Sequence, residues 1–381
     1  MNQYDYIITG AGASGLMLAY RMAKDPFFDQ KSIALIDVTK KMSNDRTWCF
    51  WEKEKGQWDE FLAKSWSDIF FGGTDFEKRF SIAPYTYKMI RSEAFYKAIW
   101  ETLDKTANFT FIQDSVRSIV DTADGVRVET ATESYLAEKV FNSVILSKEF
   151  LRQQKYPVLQ QHFVGWFIKT ETDQFDDQMA TFMDFRVPQK GNTRFMYVLP
   201  LQKNLALVEY TLFSENLLEQ SAYENEIRAY LSTHQIIGYS IVETEKGSIP
   251  MTSFDFEKYN TPNILNMGTA GGWTKASTGY TFMNTTKKTA EFVDFLKNNH
   301  DLSKFSKRTK FWFYDMIMLD VLAGENHLGA RLFSGLFRKT KIQYILKFLD
   351  EETSLAEDLK IISSMPTLKF SRALLNRLLR F

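Results

Sequence analysis

The chain has 381 residues, with 47 lysines and arginines against 47 aspartates and glutamates, so net charge gives no ground for a nucleic-acid partner and none is expected. A single cysteine, Cys49, excludes a disulfide framework and a cysteine-built metal cluster, and His162, His234, His300 and His327 lack metal-ligand spacing, so no metal site is expected. The length admits two domains, or one dinucleotide-binding domain with a substrate domain threaded through it. A content of 33 Phe, 17 Tyr and 8 Trp suits a bulky core, a long apolar ligand, or a cation stabilised by ring faces. The chain opens directly on a strand pattern, without room for a cleavable leader. No run approaches the roughly 18–20 apolar residues of a spanning helix, and a cytoplasmic location is expected.

Residues 6–8 read as a strand feeding the turn Gly10-Ala-Gly12-Ala-Ser14-Gly15, and an apolar helical pattern follows at once. Gly10 allows the tight turn, Gly12 lets backbone approach a pyrophosphate, and Gly15 permits close packing of helix on strand. Phosphate then meets the helix N-terminus at Ser14, where free N–H groups and the dipole favour negative charge. Residues 32–37 form a second strand ending in Asp37, near the roughly 20-residue offset of a carboxylate that holds a ribose hydroxyl. A single N-terminal half-site of this kind favours FAD.

Residues 40–52 mix charges with three aromatics and fit neither period, so a loop near the cofactor is expected there. Residues 60–69 read as irregular or helical, 69–73 as a strand ending in a turn, and 80–90 as extended. A helix enters at Ser92 with Glu93 in its first turn. Strands follow at 109–112 and 126–128 with an Asp124-Gly125 turn, and residues 139–146 read as the strand that returns to the first sheet. Residues 161–170, 181–185, 193–199 and 204–211 are strands with bulky apolar residues on both alternating sets, which predicts a sheet roofing a hydrophobic cavity. The connection at 200–204 reads as a hairpin, 215–232 as a helix and 241–250 as extended. Glycines return at Gly268, Gly271, Gly272 and Gly279, a second loop able to cradle a cofactor. From residue 303 the tail is helical, amphipathic and rich in cations, ending in Lys369, Arg372, Arg377 and Arg380 among Leu374, Leu375, Leu378, Leu379 and Phe381. Such a helix suits a membrane interface or an ordinary solvated face equally. The expected organisation is 1–75 and 256–302 as two FAD-binding segments, 76–155 mixed, 156–255 a substrate-binding sheet, and 303–381 a helical, membrane-facing region.

The glycine turn, Asp45-Arg46-Thr47-Trp48-Cys49-Phe50, Tyr87 to Ser92 around Arg91, His162 to Trp166, Leu207-Val-Glu209-Tyr210-Thr211, Gly247 to Pro250, Gly268 to Gly271 and Ser277 to Tyr280 together resemble the FAD-dependent lycopene cyclase family, the bacterial lycopene beta-cyclases in particular. The resemblance covers nearly the whole chain. It implies an α/β fold: an FAD-binding Rossmann-like domain intertwined with a mixed β-sheet substrate domain, plus a helical C-terminal region. It also implies redox-neutral cyclisation of the ends of lycopene, or a related acyclic carotene, to β-ionone rings. Reduced FAD is needed, with NADPH as electron donor. Gly10, Gly12, Ser14, Gly15, Asp37, Arg91, Gly268, Gly271, Gly272 and Gly279 are the implied cofactor-binding residues.

Glu209 matches the family's catalytic acid, as a general acid/base whose carboxyl is protonated in an apolar pocket. Tyr210 stands where a second acid is usual. Neighbours on a strand face opposite ways, which leaves Glu209 standing and weakens a two-carboxylate mechanism. Trp166, Phe167, Tyr210 and Tyr280 are the implied substrate contacts. Thr269 follows Gly268 where many related flavoproteins carry Asp, leaving backbone N–H groups to hold the cofactor. The acidic run Asp350-Glu351-Glu352 reads as a helix-end turn. A carotene must come from lipid, so peripheral attachment to the inner membrane face is implied. The rival readings are an FAD monooxygenase of an isoprenoid or aromatic substrate, and a non-catalytic flavin- or carotenoid-binding protein.

Overall fold

The computed structural model describes residues 2–305 and 308–379; Arg380 and Phe381 of the tail pattern lie outside them. Strand β1 (Asn2–Thr9) ends in the glycine turn, α1 (Ala13–Ala23) leaves it, and β2 (Ile33–Asp37) follows. The chain then forms β3 (Thr47–Glu52), β4 (Leu62–Trp66), β5 (Asp68–Gly72), β6 (Glu77–Ser81), β7 (Thr86–Arg91) and α2 (Ser92–Leu103). It returns through β8 (Phe109–Gln113), β9 (Val116–Thr122), β10 (Gly125–Thr130) and β11 (Ser134–Asn142). After α3 (Glu149–Arg152) come the long strands β12 (Leu159–Thr170), β13 (Met179–Asp184), β14 (Thr193–Gln202) and β15 (Leu205–Ser214). Next are α4 (Gln220–Thr233), β16 (Tyr239–Met251), β17 (Ile264–Asn266) and α5 (Phe282–Asn298). The tail is α6 (Lys310–Gly324), α7 (Gly329–Lys339), α8 (Ile342–Leu349), α9 (Leu355–Ser364) and α10 (Thr367–Leu378).

The first sheet runs β8-β2-β1-β11-β10-β9, with β17 also on β11. Its β8, β2, β1, β11 and β17 are parallel, and one face of their apolar centre, Tyr6, Ile8, Ile33, Leu35 and Phe141, packs on α1, α2 and α5. From β1 the chain turns to β2 on one side, while β11 occupies the other. The carboxyl end of β1 is therefore the topological switch point, where this architecture leaves a crevice. The glycine turn sits there.

The second sheet runs β16-β12-β15-β14-β13-β5-β6, and its central strands β12, β15 and β14 are buried on both faces. Even-numbered residues of β12, β14 and β15, among them Trp166, Met196, Val208 and Tyr210, pack with Tyr223, Ile227 and Tyr230 of α4. Odd-numbered ones, among them Phe167, Tyr197, Leu199 and Leu207, join a core completed by Leu319, Phe333, Phe337, Ile345 and Leu346 of the tail. Burial on both faces explains why both alternating sets are bulky and apolar.

Three expectations are corrected. Residues 47–52 form a strand, not a loop, paired antiparallel with β7 from Thr47 opposite Arg91 to Glu52 opposite Thr86. Trp48 packs on Phe95 and Phe282 while Trp51 packs on Phe182 and Tyr280, so burial on two faces hides the period. Residues 62–66, expected irregular or helical, form an edge strand on β7 with a register shift after Leu62. The β14–β15 connection is also tighter than expected, because β14 continues through Pro200 to Gln202.

The helical tail is tied to the second glycine loop by buried charge. Lys275 Nζ, fully buried, lies 3.0 Å from Asp315 Oδ1 of α6 and 3.4 Å from Glu351 Oε1. Ser277 Oγ donates to Asp315 Oδ1 at 2.7 Å. A buried cation whose main partner is removed keeps its desolvation cost without its attraction. Asp315→Ala should therefore lower stability by about 3 kcal/mol, read as a drop in the calorimetric melting temperature. Pairing Lys275→Met with Asp315→Leu should recover most of the loss.

Candidate active site

A cavity of about 460 Å³ runs from the glycine turn to the odd-numbered face of the second sheet. At its first end Gly10 has φ +92°, and its N–H donates to the Ile36 carbonyl at 2.8 Å. A side chain at Gly15 would fall 1.9 Å from the Gly10 carbonyl oxygen, so helix and strand meet there only because none exists. Gly12 differs: a Cβ there would meet no protein atom within 4 Å, and the residue lines the cavity.

No side chain caps α1 and no acid stands in its first turn, which leaves the first N–H groups and the positive end of the dipole to a ligand. Asp37 lines the cavity, its Oδ2 accepting the Ala11 N–H at 2.5 Å. The second loop closes on the same end. A Cβ on Gly268 would lie 2.4 Å from Ser14 Oγ, and Gly268, Thr269, Gly279 and Tyr280 all line the cavity. Open backbone at Gly12, an uncapped helix N-terminus and a carboxylate at the end of β2 fit an adenine dinucleotide.

At the other end, register sets four residues in a row across four strands. Tyr197 of β14 lies opposite Glu209 of β15, Glu209 opposite Gly165 of β12, and Gly165 opposite Glu245 of β16. Gly165 is the gap between the two acids: a Cβ there would lie 3.3 Å from Glu209 Cβ, 3.2 Å from Glu245 Cγ and 2.8 Å from Leu207 Cδ1. Glu209 is buried, and its Oε1 accepts the Thr211 hydroxyl at 2.7 Å. Glu245 is half-buried, and its Oε2 accepts the Thr47 hydroxyl at 2.7 Å.

Burial, and then the neighbouring Glu245 charge, push the Glu209 carboxyl well above the carboxylate range. Desolvation also raises Glu245 despite its partial exposure, while the Thr47 hydroxyl and the Arg91 guanidinium hold it down. Two desolvated carboxyls side by side disfavour ionisation together, and Glu245 has more partners that favour its charged form, the Thr47 hydroxyl and the Arg91 guanidinium. Burial keeps the Tyr87, Tyr197 and Tyr280 phenols neutral. The arrangement is a proton donor at the end of a largely apolar chamber.

Several expected site residues lie elsewhere. Trp166 and Tyr210 are on the even-numbered face, under α4; the Tyr210 hydroxyl accepts Arg194 Nη1 at 3.2 Å, and Arg228 lies 4.9 Å over the Trp166 ring. Strand alternation excludes both from a wall shared with Glu209. Phe167 is on the Glu209 face, but Arg91 covers its ring at 3.8 Å and pairs with Glu243, so neither forms the cavity wall. Gly271 and Gly272 line a second cavity of about 200 Å³ with Phe256, Trp273 and Lys288. There a side chain on Gly271 would strike the Asn266 carbonyl at 2.1 Å, so its smallness serves packing. Sequence reasoning missed Glu245, Gly165 and Thr47. Glu245 stands two residues before Gly247, in phase with it on one strand face, and that phase was the available signal.

The family described as Lycopene cyclase protein matches residues 5–375. The lycopene beta-cyclase of Pseudescherichia vulneris is 24% identical over 290 residues, spanning 72% of this chain and 70% of its own. Among solved structures, a geranylgeranyl bacteriochlorophyll reductase-like protein of Thermoplasma acidophilum matches with TM-score 0.62 at 12% identity over 98% of each chain. A flavoprotein/dehydrogenase of Cytophaga hutchinsonii matches with TM-score 0.61 at 12% identity over 100% of each chain. At such identity the likeness carries the fold, which is the α/β flavoprotein architecture with a helical C-terminal region.

Gly12 separates fold from ligand. With φ −79° at Gly12 and open space at its Cβ, Gly12→Val should leave the melting temperature within a few degrees of wild type, while FAD affinity, read by quenching of flavin fluorescence, falls at least about tenfold through lost close approach.

Proposed function

The chain belongs to the lycopene cyclase family, and from that premise we propose that it closes the linear ends of lycopene, or of a related acyclic carotene, into β-ionone rings without net oxidation. The observation that carries this reading is one cavity with a dinucleotide-type turn at one end and the desolvated Glu209 carboxyl at the other. Glu209 donates a proton to the terminal double bond. The resulting cation is attacked by the neighbouring double bond, which closes the ring, and loss of a ring proton completes the isomerisation. The apolar walls around Leu199, Leu207 and Ile249 exclude water that would trap the cation, and the faces of Tyr197 and Tyr280 stabilise it.

FAD fits the first end, held by the backbone of Gly10, Gly12, Ser14 and Gly15, by Asp37, and by Gly268 and Gly279 of the second loop. In its reduced form, with NADPH as electron source, such a cofactor would supply a negative charge that favours the cationic intermediate.

A carotene is delivered from lipid, and the tail offers a surface for that contact. Leu355 and Leu359 of α9 are each 67% exposed, and Leu368 and Leu375 of α10 are 87% and 58% exposed. Lys360, Lys369 and Arg372 lie among them, a pairing of apolar and basic groups that suits an anionic membrane surface. Among the described residues no helix is long and apolar enough to cross a membrane, so the contact we propose is peripheral.

In a lycopene-accumulating host, wild type should yield β-carotene and Glu209→Gln should retain lycopene, with a loss of at least about a hundredfold as expected for a missing general acid. A product heavier by one oxygen, formed with oxygen-dependent NADPH consumption, would instead establish a monooxygenase. Pigment bound with unaltered end groups by both proteins would establish a carrier. Replacing Leu355, Leu359, Leu368 and Leu375 together by Ser should cut co-sedimentation with anionic liposomes at least about fivefold and leave the melting temperature near wild type; unchanged sedimentation would remove the tail as anchor.

A further inference from the structure

Glu209 cannot be understood alone, because the row across the sheet sets a second carboxyl beside it. Gly165, with no side chain, is all that separates them on the intervening strand. Their surroundings are unequal. Glu209 receives one hydroxyl, from Thr211 on its own strand. Glu245 receives the Thr47 hydroxyl from β3 and faces the Arg91 guanidinium from β7. The other titratable groups bearing on the pair are Glu243, already paired with Arg91, the Cys49 thiol, and the Tyr197 and Tyr280 phenols, which desolvation keeps neutral. One negative charge in this cluster therefore has no cation of its own, and the donors place it on Glu245.

We infer that Glu245 is a positioning residue for the cyclisation: an anion that holds the working proton on Glu209 and draws it back there after ring closure. This rests on the reading of Glu209 as the acid. In the forward step the Glu209 O–H bond breaks and a C–H bond forms at the terminal alkene carbon. The adjacent alkene pair then makes the ring C–C bond. At that moment two carboxylates stand side by side, and their repulsion makes Glu209 a stronger base than an isolated carboxylate. It takes the ring proton, the C–H pair becomes the ring double bond, and the O–H bond is restored. Glu245 neither gains nor loses a proton, and substrate and product are isomers. A sequence with Tyr210 in place of an adjacent second acid thus recovers a carboxyl pair from a strand 36 residues onward in the chain.

The test is a pH titration of the full-length protein by infrared difference spectroscopy. The carbonyl band of protonated Glu209 is identified by its absence in Glu209→Gln. In wild type that band should persist through neutral pH. In Glu245→Gln, which removes the like charge, its midpoint should fall by about 1–2 pH units, and the alkaline limb of cyclisation should move down with it. Glu245→Asp, which keeps the charge, should restore most of the shift. Thr47→Val supplies an independent variant should Glu245→Gln fold poorly: without its donor Glu245 competes for the proton, so the Glu209 band should weaken at neutral pH. A Glu209 band unmoved in Glu245→Gln and in Thr47→Val would overturn the proposal. Failure of wild type to cyclise lycopene would refute the functional reading instead, and the same titration would still decide whether the two carboxyls share a proton.

Discussion

The constraint on which the site depends is the hydrogen-bonded register of β14, β15, β12 and β16. Four residues far apart in sequence, Tyr197, Glu209, Gly165 and Glu245, become a single row because the ladder bonds admit no slip. A one-residue shift of β14 or β15 would send Tyr197 or Glu209 to the α4 face. Large apolar residues on both faces make such a shift costly, so the same burial that stabilises the sheet also fixes the distance between its two acids. The low-dielectric surroundings that raise Glu209 are a by-product of this packing. Under the proposed function, catalytic tuning and core formation are one phenomenon.

The rest of the molecule brings that row to the mouth of the parallel sheet. The crevice at the end of β1 exists because the chain turns one way to β2 while β11 lies on the other side. The second glycine loop then crosses from β17 to α5 and touches both ends of the cavity, Gly268 against Ser14 and Gly279 against Gln161. Its far side is pinned through Lys275 and Ser277 to Asp315 and Glu351 of the helical tail.

The first fifty residues show where reading the chain works and where it stops. Gly10, Gly12, Gly15 and Asp37 were legible because a strand, a tight turn and a helix N-terminus are local objects with local steric demands. Residues 47–52 were not, since a strand buried on both faces carries no alternation to detect. Glu209 was singled out through its motif and lines the cavity, whereas Tyr210, expected as a substrate contact, packs under α4 as strand alternation requires. Gly271 and Gly272 looked like cofactor glycines, but their demand for smallness comes from Asn266 and the local turn.

By itself, the sequence located the glycine turn after β1, the acid at the end of β2, most of the strands and helices, and the motif that carries Glu209. Each of these follows from short-range sterics, periodicity or a contiguous motif. Only the tertiary structure decided that Glu245 stands beside Glu209 with Gly165 between them, that Thr47 and Arg91 attend the second acid, and that Trp166 and Tyr210 face away. Strand order and register are set by the packing of whole faces, and that information is spread over the entire sheet, beyond the reach of any single stretch of residues.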